Sequence, residues 1–282
     1  MHSSLLGSGA EIVQLVRRPA AGPRELEWNP ASQRPVPSFA SLNGLSAAIH
    51  LSGANVAAQR WTPTYRREMW TSRVRTTSVL ADMLAGLPQP PPVFLVASAV
   101  GIYGNRGDEV LDEASQPGAG FLADLCREWE AATEPASRAG IRVIHLRFGV
   151  VLARGGALQK MLPVFRFGLG GKLGSGRQWM SWIALDDAIS AIRFLLTSDL
   201  SGSFNLCAPN PVTNAVFTRA LADTLHRPAL FTIPAFALRA ALGHMADEAL
   251  LASARVHPTR LTHSAFSFAY PRLNAALAAI LR

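Results

Sequence analysis

The sequence predicts an α/β fold built on a doubly wound parallel sheet, and three observations carry that prediction. Short apolar runs of strand length alternate with longer stretches whose apolar residues recur every three or four positions, the order expected of strands covered by helices. One run, Val93 to Ala97, is apolar without a break and passes into Ser98-Ala-Val-Gly-Ile-Tyr-Gly104 and a polar loop ending at Glu109. A buried parallel strand delivers side chains to a site in this way, because ligands of open α/β sheets sit beyond the carboxyl ends of the strands. Finally, the 282 residues are 49% hydrophobic, enough for a large core.

Taken in order, Met1 to Gly9 reads as the end of a helix, stopped by Gly7 and Gly9. Glu11 to Pro19 contains a short strand, Leu26 to Trp28 another, and Pro30 to Ser41 a loop rich in proline and serine. Ala47 to Leu51 is the next buried strand. Met69, Arg73, Thr76, Leu80 and Leu84 then mark one helix from Pro63 to Leu84, which Gly86 and Pro88 end. After the central strand, Phe121, Leu125 and Trp129 place a second long helix over Gly118 to Ser137. Arg142 to Arg147 is a strand that Phe148 to Leu152 continues. Beyond Gly155 come a helix from Leu158 to Phe167, a glycine-rich turn from Gly168 to Gly176, and an aromatic strand from Trp179 to Ile183. Asp186 or Asp187 caps the following helix, Ser203 to Cys207 is the last core strand, and Thr213 caps a helix reaching Leu225. From Pro234 onward the chain is mainly helical, broken by Pro258 and by the alternating run Phe266 to Pro271, which reads as a half-exposed strand. This organisation divides into a sheet-based domain over residues 1–210 and a small C-terminal lobe over 230–282.

Composition narrows the function. The net charge of +8 would permit an anionic partner, but only two lysines occur, Lys160 and Lys172, and the arginines are spread along the chain. A nucleic-acid-binding surface is therefore not expected. No apolar run reaches the roughly 18 residues of a membrane span, and the first residues lack a signal-peptide pattern, so the expected location is the cytoplasm with no membrane partner. Cys126 and Cys207 stand alone and the seven histidines show no ligand spacing, which indicates neither a disulfide framework nor a metal site. Gly170 to Gly176 lacks the hydroxyl residue after its lysine that a triphosphate-binding loop requires.

Five segments taken together carry a resemblance: Leu15-Val-Arg17, His50-Leu-Ser-Gly53, Ser98 to Gly104, Trp129-Glu130, and Arg147 to Gly156. The chain resembles the atypical extended short-chain dehydrogenase/reductases, and within them the epimerase-family proteins that carry a C-terminal domain of unknown function, which Val256 to Leu261 and Phe266 to Leu277 match. The resemblance implies a Rossmann fold binding a dinucleotide. It also implies a departure, since the glycine-rich loop that brings backbone amides to a pyrophosphate should follow the first strand. Here Gly7-Ser-Gly9 precedes a strand instead, so the chain is expected to begin inside the first helix, with the first strand and the loop missing through a misplaced start. An acidic residue after the second strand would hold a ribose 2′-hydroxyl; Arg17 and Arg18 stand there instead and favour a 2′-phosphate, hence NADP(H), although a solvated basic turn is the competing reading. By resemblance, Leu51, Ser52 and Gly53 line the cofactor cleft and Glu68 and Arg73 reach it from the next helix. Weak cofactor binding follows from the missing loop.

The family's acid/base is a tyrosine with a lysine four residues on, beside a serine or threonine that holds the substrate oxygen. The residues four beyond Tyr65, Tyr103 and Tyr270 are Met69, Gly107 and Asn274, so that pair is absent. The family register sets Phe121 or Leu122 at the tyrosine and Leu125 or Cys126 at the lysine, and Ser98 falls one residue before the usual serine. Ser98 and Tyr103 remain the catalytic candidates, with Asp108 and Asp124 behind them. Without a lysine, Tyr103 is expected to keep the ordinary phenol value near 10. Two functions fit: an NADP(H)-dependent oxidoreductase or epimerase acting on a small, nucleotide-linked substrate, or a catalytically silent nucleotide-binding or regulatory module.

Overall fold

The computed structural model describes residues 2–7, 9–30 and 42–281. The chain opens with α1 (His2–Leu6), followed by β1 (Gln14–Val16) and β2 (Glu25–Glu27), which pair in parallel with Leu15 opposite Leu26. Most of the loop expected over Pro30 to Ser41 lies outside the described residues. β3 (Ala48–His50) comes next, then α2 (Pro63–Trp70), which starts where it does because the Thr62 side chain accepts the Tyr65 N–H and proline occupies the first turn. The single helix expected here is interrupted by a π turn, Thr71–Arg75, before α3 (Thr76–Ala85). Apolar periodicity does not register one wide turn, yet that turn re-aims Ser72 and Arg73.

The apolar run forms β4 (Val93–Ala99), and a 3₁₀ turn over Val100–Tyr103 leads to β5 (Val110–Leu111). The second long helix is two, α4 (Phe121–Ala131) and α5 (Glu134–Arg138), because Pro135 suits only the first turn of a new helix. β6 (Arg142–Phe148) does not continue to Leu152. Gly149 separates it from β7 (Val150–Leu152), and a Cβ at Gly149 would stand 2.6 Å from the Ser181 carbonyl oxygen, so only glycine allows the chain to change sheets there.

Then follow α6 (Gly156–Arg166), β8 (Gly171–Leu173), β9 (Trp179–Met180), β10 (Trp182–Ala184), α7 (Leu185–Thr197) and β11 (Gly202–Leu206). After β12 (Val212–Thr213) come α8 (Asn214–Thr224), capped by Thr213 as expected, β13 (Phe231–Ile233) and α9 (Ala235–Leu242). A second π turn, Ala246–Leu250, leads to β14 (Arg255–Val256), α10 (Thr259–His263) and α11 (Leu273–Leu281). The aromatic strand is thus split, β9 pairing antiparallel with β12 and β10 parallel with β7. Neither aspartate caps α7. Asp187 is buried and accepts the Ala269 and Tyr270 N–H groups at 2.7 and 2.9 Å, which holds residues 266–271 in irregular backbone where alternation suggested a strand.

The main sheet has the order β11-β6-β4-β3, parallel throughout. Side chains alternate across it, so both faces need cover. Phe94 and Val96 pack with Leu80 and Leu84 of α3 and Trp129 of α4, while Val93, Leu95, Ile144 and Leu146 pack with Ala191, Ile192 and Leu195 of α7. That is the doubly wound arrangement the sequence implied. Leu15, Leu26 and Trp28, on or just past β1 and β2, join the first cluster beside Ala48, yet no described strand hydrogen-bonds β1 to β3. On the C-terminal side, Leu273, Ala276 and Leu277 of α11 close a further core with Leu158 and Leu162 of α6 and Phe217 and Leu221 of α8. No described helix is long and apolar enough to cross a membrane, and no three described His, Cys, Asp or Glu residues group as a metal site would need.

Candidate functional site

The carboxyl ends of β3, β4 and β6, with the π turn behind them, carry most of the residues singled out by sequence. Leu51, Ser52 and Gly53 leave β3 as an exposed loop. The π turn holds this loop from behind: Ser72 Oγ accepts the Ala54 N–H at 3.0 Å, and Arg73 Nη2 donates to the Ala54 carbonyl at 2.9 Å. The Arg73 guanidinium also stacks 5.1 Å from the Trp129 ring, and a Cβ at Gly53 would stand 2.9 Å from its Cζ. A side chain at residue 53 would therefore displace the Arg73 guanidinium. Glu68, by contrast, is exposed on α2.

His50 ends β3 only 4% exposed, its Nδ1 3.1 Å from Ser52 Oγ and its Nε2 buried with no partner. Burial, and then the charge of Arg73, push its pKa down to about 4, so it is neutral at pH 7. After β1, Arg18 forks onto Glu25, both bonds 2.6 Å, and Glu25 also accepts the Ala21 N–H. Those hydrogen bonds hold the Glu25 carboxyl down to about 2. Arg17 is exposed with no such engagement among the described residues.

Ser98 and Tyr103 are close to one another but closed off. Ser98 is 3% exposed and donates to Glu130 Oε1 at 2.7 Å. Tyr103 is fully buried, donating to Asn205 Oδ1 at 2.8 Å and accepting from Arg147 Nη1 at 3.0 Å. The phenol does not keep its ordinary value: burial outweighs Arg147 and pushes it up to about 12. Glu130 joins the two residues through a two-pronged bond with Arg147, 2.8 Å to Nε and 2.8 Å to Nη2. Burial pulls the Glu130 carboxyl up, but the Arg147 hydrogen bonds and the charges of His145 and Arg147 prevail and leave it below its usual range. Asn205 extends the network, its N–H donating to Glu113 Oε1 and its side-chain amide to the His257 carbonyl.

Glu130, Arg147 and Asn205 were not singled out as a network from sequence. A signal existed: an arginine inside an otherwise apolar strand must have a buried partner. Which acidic residue answers it depends on the packing of α4 against β6. Where the family's tyrosine and lysine would stand, Phe121 and Leu122 are half-buried and Leu125 and Cys126 are buried in apolar contact, Cys126 with its thiol pushed up to about 12 by burial. Asp108 accepts the Trp179 indole N–H at 2.8 Å, and Asp124 is exposed and bonded to Arg127. Tyr103→Phe should lower stability by about 1–3 kcal/mol, since it strips a partner from both Arg147 and Asn205. Urea unfolding measures this, and a change within error would mean that the hydroxyl does not bridge them.

A parallel sheet wound on both faces, with an exposed loop at a strand end, defines a Rossmann-type fold. Comparison with known proteins narrows this. Residues 1–207 match the model of the NAD dependent epimerase/dehydratase family, and residues 233–280 match a domain of unknown function, DUF1731. The chain belongs to the NAD-dependent epimerase/dehydratase family. It is 42% identical over 279 residues to an epimerase family protein of Mycobacterium bovis, covering 98% of this chain and 91% of the relative. The bovine epimerase family protein SDR39U1 is 34% identical over 283 residues, covering 98% and 93%. Among solved structures, human SDR39U1 (isoform 2) with NADPH superposes at a TM-score of 0.89 with 32% identity, covering 99% of this chain and 93% of that one. A nucleoside-diphosphate sugar epimerase of Corynebacterium glutamicum gives 0.78 with 37% identity, covering 99% and 54%.

Proposed function

We propose that this chain binds NADP(H) between the Arg17 turn and the 51–54 loop and uses it on a small, nucleotide-linked substrate as an oxidoreductase or epimerase. The observation that carries the reading is the asymmetry of the arginine pair. Glu25 engages Arg18 as a fork, while the Arg17 guanidinium is exposed and open to a 2′-phosphate, which supports the reading. NADPH in the human relative's structure supports the same choice. When bound, the cofactor supplies hydride transfer. The chain's own residues do the rest: Ser72 and Arg73 hold the loop that would border the cofactor, and the Glu130–Arg147 pair holds Ser98 and Tyr103 in place. With its pKa pushed up to about 12, the Tyr103 phenol is protonated at neutral pH.

Arg17→Ala should cost NADPH about 1.5–3 kcal/mol of affinity and leave NADH nearly untouched, the difference that a charge-assisted bond to the 2′-phosphate produces. Calorimetric titration of both cofactors tests it. Equal losses would show that Arg17 does not read that phosphate.

A second reading, a silent nucleotide-binding or regulatory module, is favoured by one observation: the tyrosine hydroxyl is sealed in and the lysine place holds buried Leu125 or Cys126. NADPH bound without turnover on any sugar nucleotide or small carbonyl compound would support it.

A further inference from the structure

The seam where α2 meets α9 and the second π turn contains a cation with no acceptor for two of its nitrogens. Trp61, Tyr65, Met69, Leu125 and Met245 form one apolar cluster there, with Phe121, Leu122 and Leu242 at its margin. Within it the Arg66 guanidinium carbon lies 5.0 Å from the Phe121 ring centre and 6.0 Å from that of Trp61, and the two rings meet edge to face at 5.5 Å. Arg66 Nε and Nη2 are both buried and neither has a partner. These two atoms form one edge of the guanidinium, the edge that takes two oxygens of a carboxylate or phosphate side by side.

The neighbouring carboxylates do not fill that role. Glu248 stands beside Gly120 and accepts the Leu122 N–H at 2.8 Å, and Glu68 is exposed. Cation–π contact offsets part of the lost hydration but offers no acceptor to the two N–H groups. The approach to the seam is bounded by loop 55–60, which Lys160 ties to α6 through the Ala57 carbonyl at 2.8 Å.

We propose that Arg66 is the anion-recognition residue of the substrate site, taking a phosphate or carboxylate of the substrate on its Nε–Nη2 edge between the sheet domain and the C-terminal segment. This rests on the reading that the chain acts on a small-molecule substrate, and it gives that substrate a charge. Because both nitrogens are shielded, the anion enters as α9 and the π turn draw back from α2, and Trp61 and Phe121 then close over the ion pair. The planar cation is oriented in advance by the two rings, so little ordering remains for binding.

The test is titration with inorganic phosphate, and separately with acetate, at ionic strength held constant with potassium chloride. Tryptophan fluorescence is followed in the wild type and in Arg66→Gln, Arg66→Lys and Trp61→Phe, with and without saturating NADPH. A saturable change is expected in the wild type, lost in Trp61→Phe, weakened at least tenfold in Arg66→Gln and partly kept in Arg66→Lys. Arg66→Lys guards against misfolding of the glutamine variant, and a response to one anion alone identifies the group recognised. Equal affinity in the wild type and Arg66→Gln, or no response beyond that of chloride, overturns the proposal. NADPH is titrated independently, so absent cofactor binding would sink the functional reading and leave the phosphate result standing.

Discussion

Glu130→Ala should destabilise the protein by about 3–5 kcal/mol, the effect of leaving a buried cation without its partner. Glu130 and Arg147 side chains are only 12% and 10% exposed, and the pair is held by two bonds of 2.8 Å. Removing the carboxylate strands the guanidinium and also releases Ser98 and the weaker contacts from Ser203 and His145. For a chain of this size the loss corresponds to a melting temperature lower by roughly 10 °C. The double change Glu130→Leu with Arg147→Met should recover much of it, since two apolar groups of similar shape leave nothing unpaired. Calorimetry on Glu130→Leu, Arg147→Met and the double variant decides the matter; additive losses would mean the pair is not coupled. Because the folded carboxyl titrates lower than the unfolded one, its contribution is present above the unfolded value of about 4.3 and disappears as the pH falls.

Acid should weaken the fold earlier than the carboxylates alone would cause, through His50. In the unfolded chain the ring titrates near 6.5, whereas in the fold burial and Arg73 push it down to about 4. Between those values the unfolded state binds a proton that the folded state refuses, so stability falls as the pH is lowered from about 6.5 to 4. The loss is roughly 3 kcal/mol once the lower value is passed. His145 and His257 are lowered as well, by burial first and by neighbouring arginines, and add to the same slope. Guanidinium unfolding at a series of pH values should show His50→Gln with a visibly flatter profile in this window. An unchanged slope would mean that the His50 ring takes up its proton in the folded protein as readily as in water.

Most of the sheet could be read from sequence because its strands are buried on both faces and announce themselves as apolar runs. Val93 to Ala97, Arg142 to Arg147 and Ser203 to Cys207 all became strands of the main sheet within a few residues. What periodicity missed were changes of direction whose cause lies in a partner far along the chain. Gly149 breaks a continuous apolar run because Ser181 approaches it, and residues 266–271 lose their strand character to Asp187, about 80 residues earlier. The site divided along the same line. The 51–54 loop and the arginine pair lie next to strand ends and were singled out through the family resemblance. The enclosure of Ser98 and Tyr103 was not, because it depends on Glu130, Arg147 and Asn205 arriving from three different elements.

The split of the sheet should also divide the protein's motion, as hydrogen exchange of β1 and β2 against β4 and β6 would measure. β4 and β6 share seven register pairs under cover on both faces, whereas β1 and β2 share three and lean on the common core. A unit with so few ladder bonds opens at a free energy well below that of global unfolding. Arg17 stands on that unit, and the His50 loop stands on the other side of the division. A dinucleotide reaching from one to the other would therefore act as a fastener between two bodies that fluctuate separately, and part of its binding energy would appear as the quieting of β1 and β2.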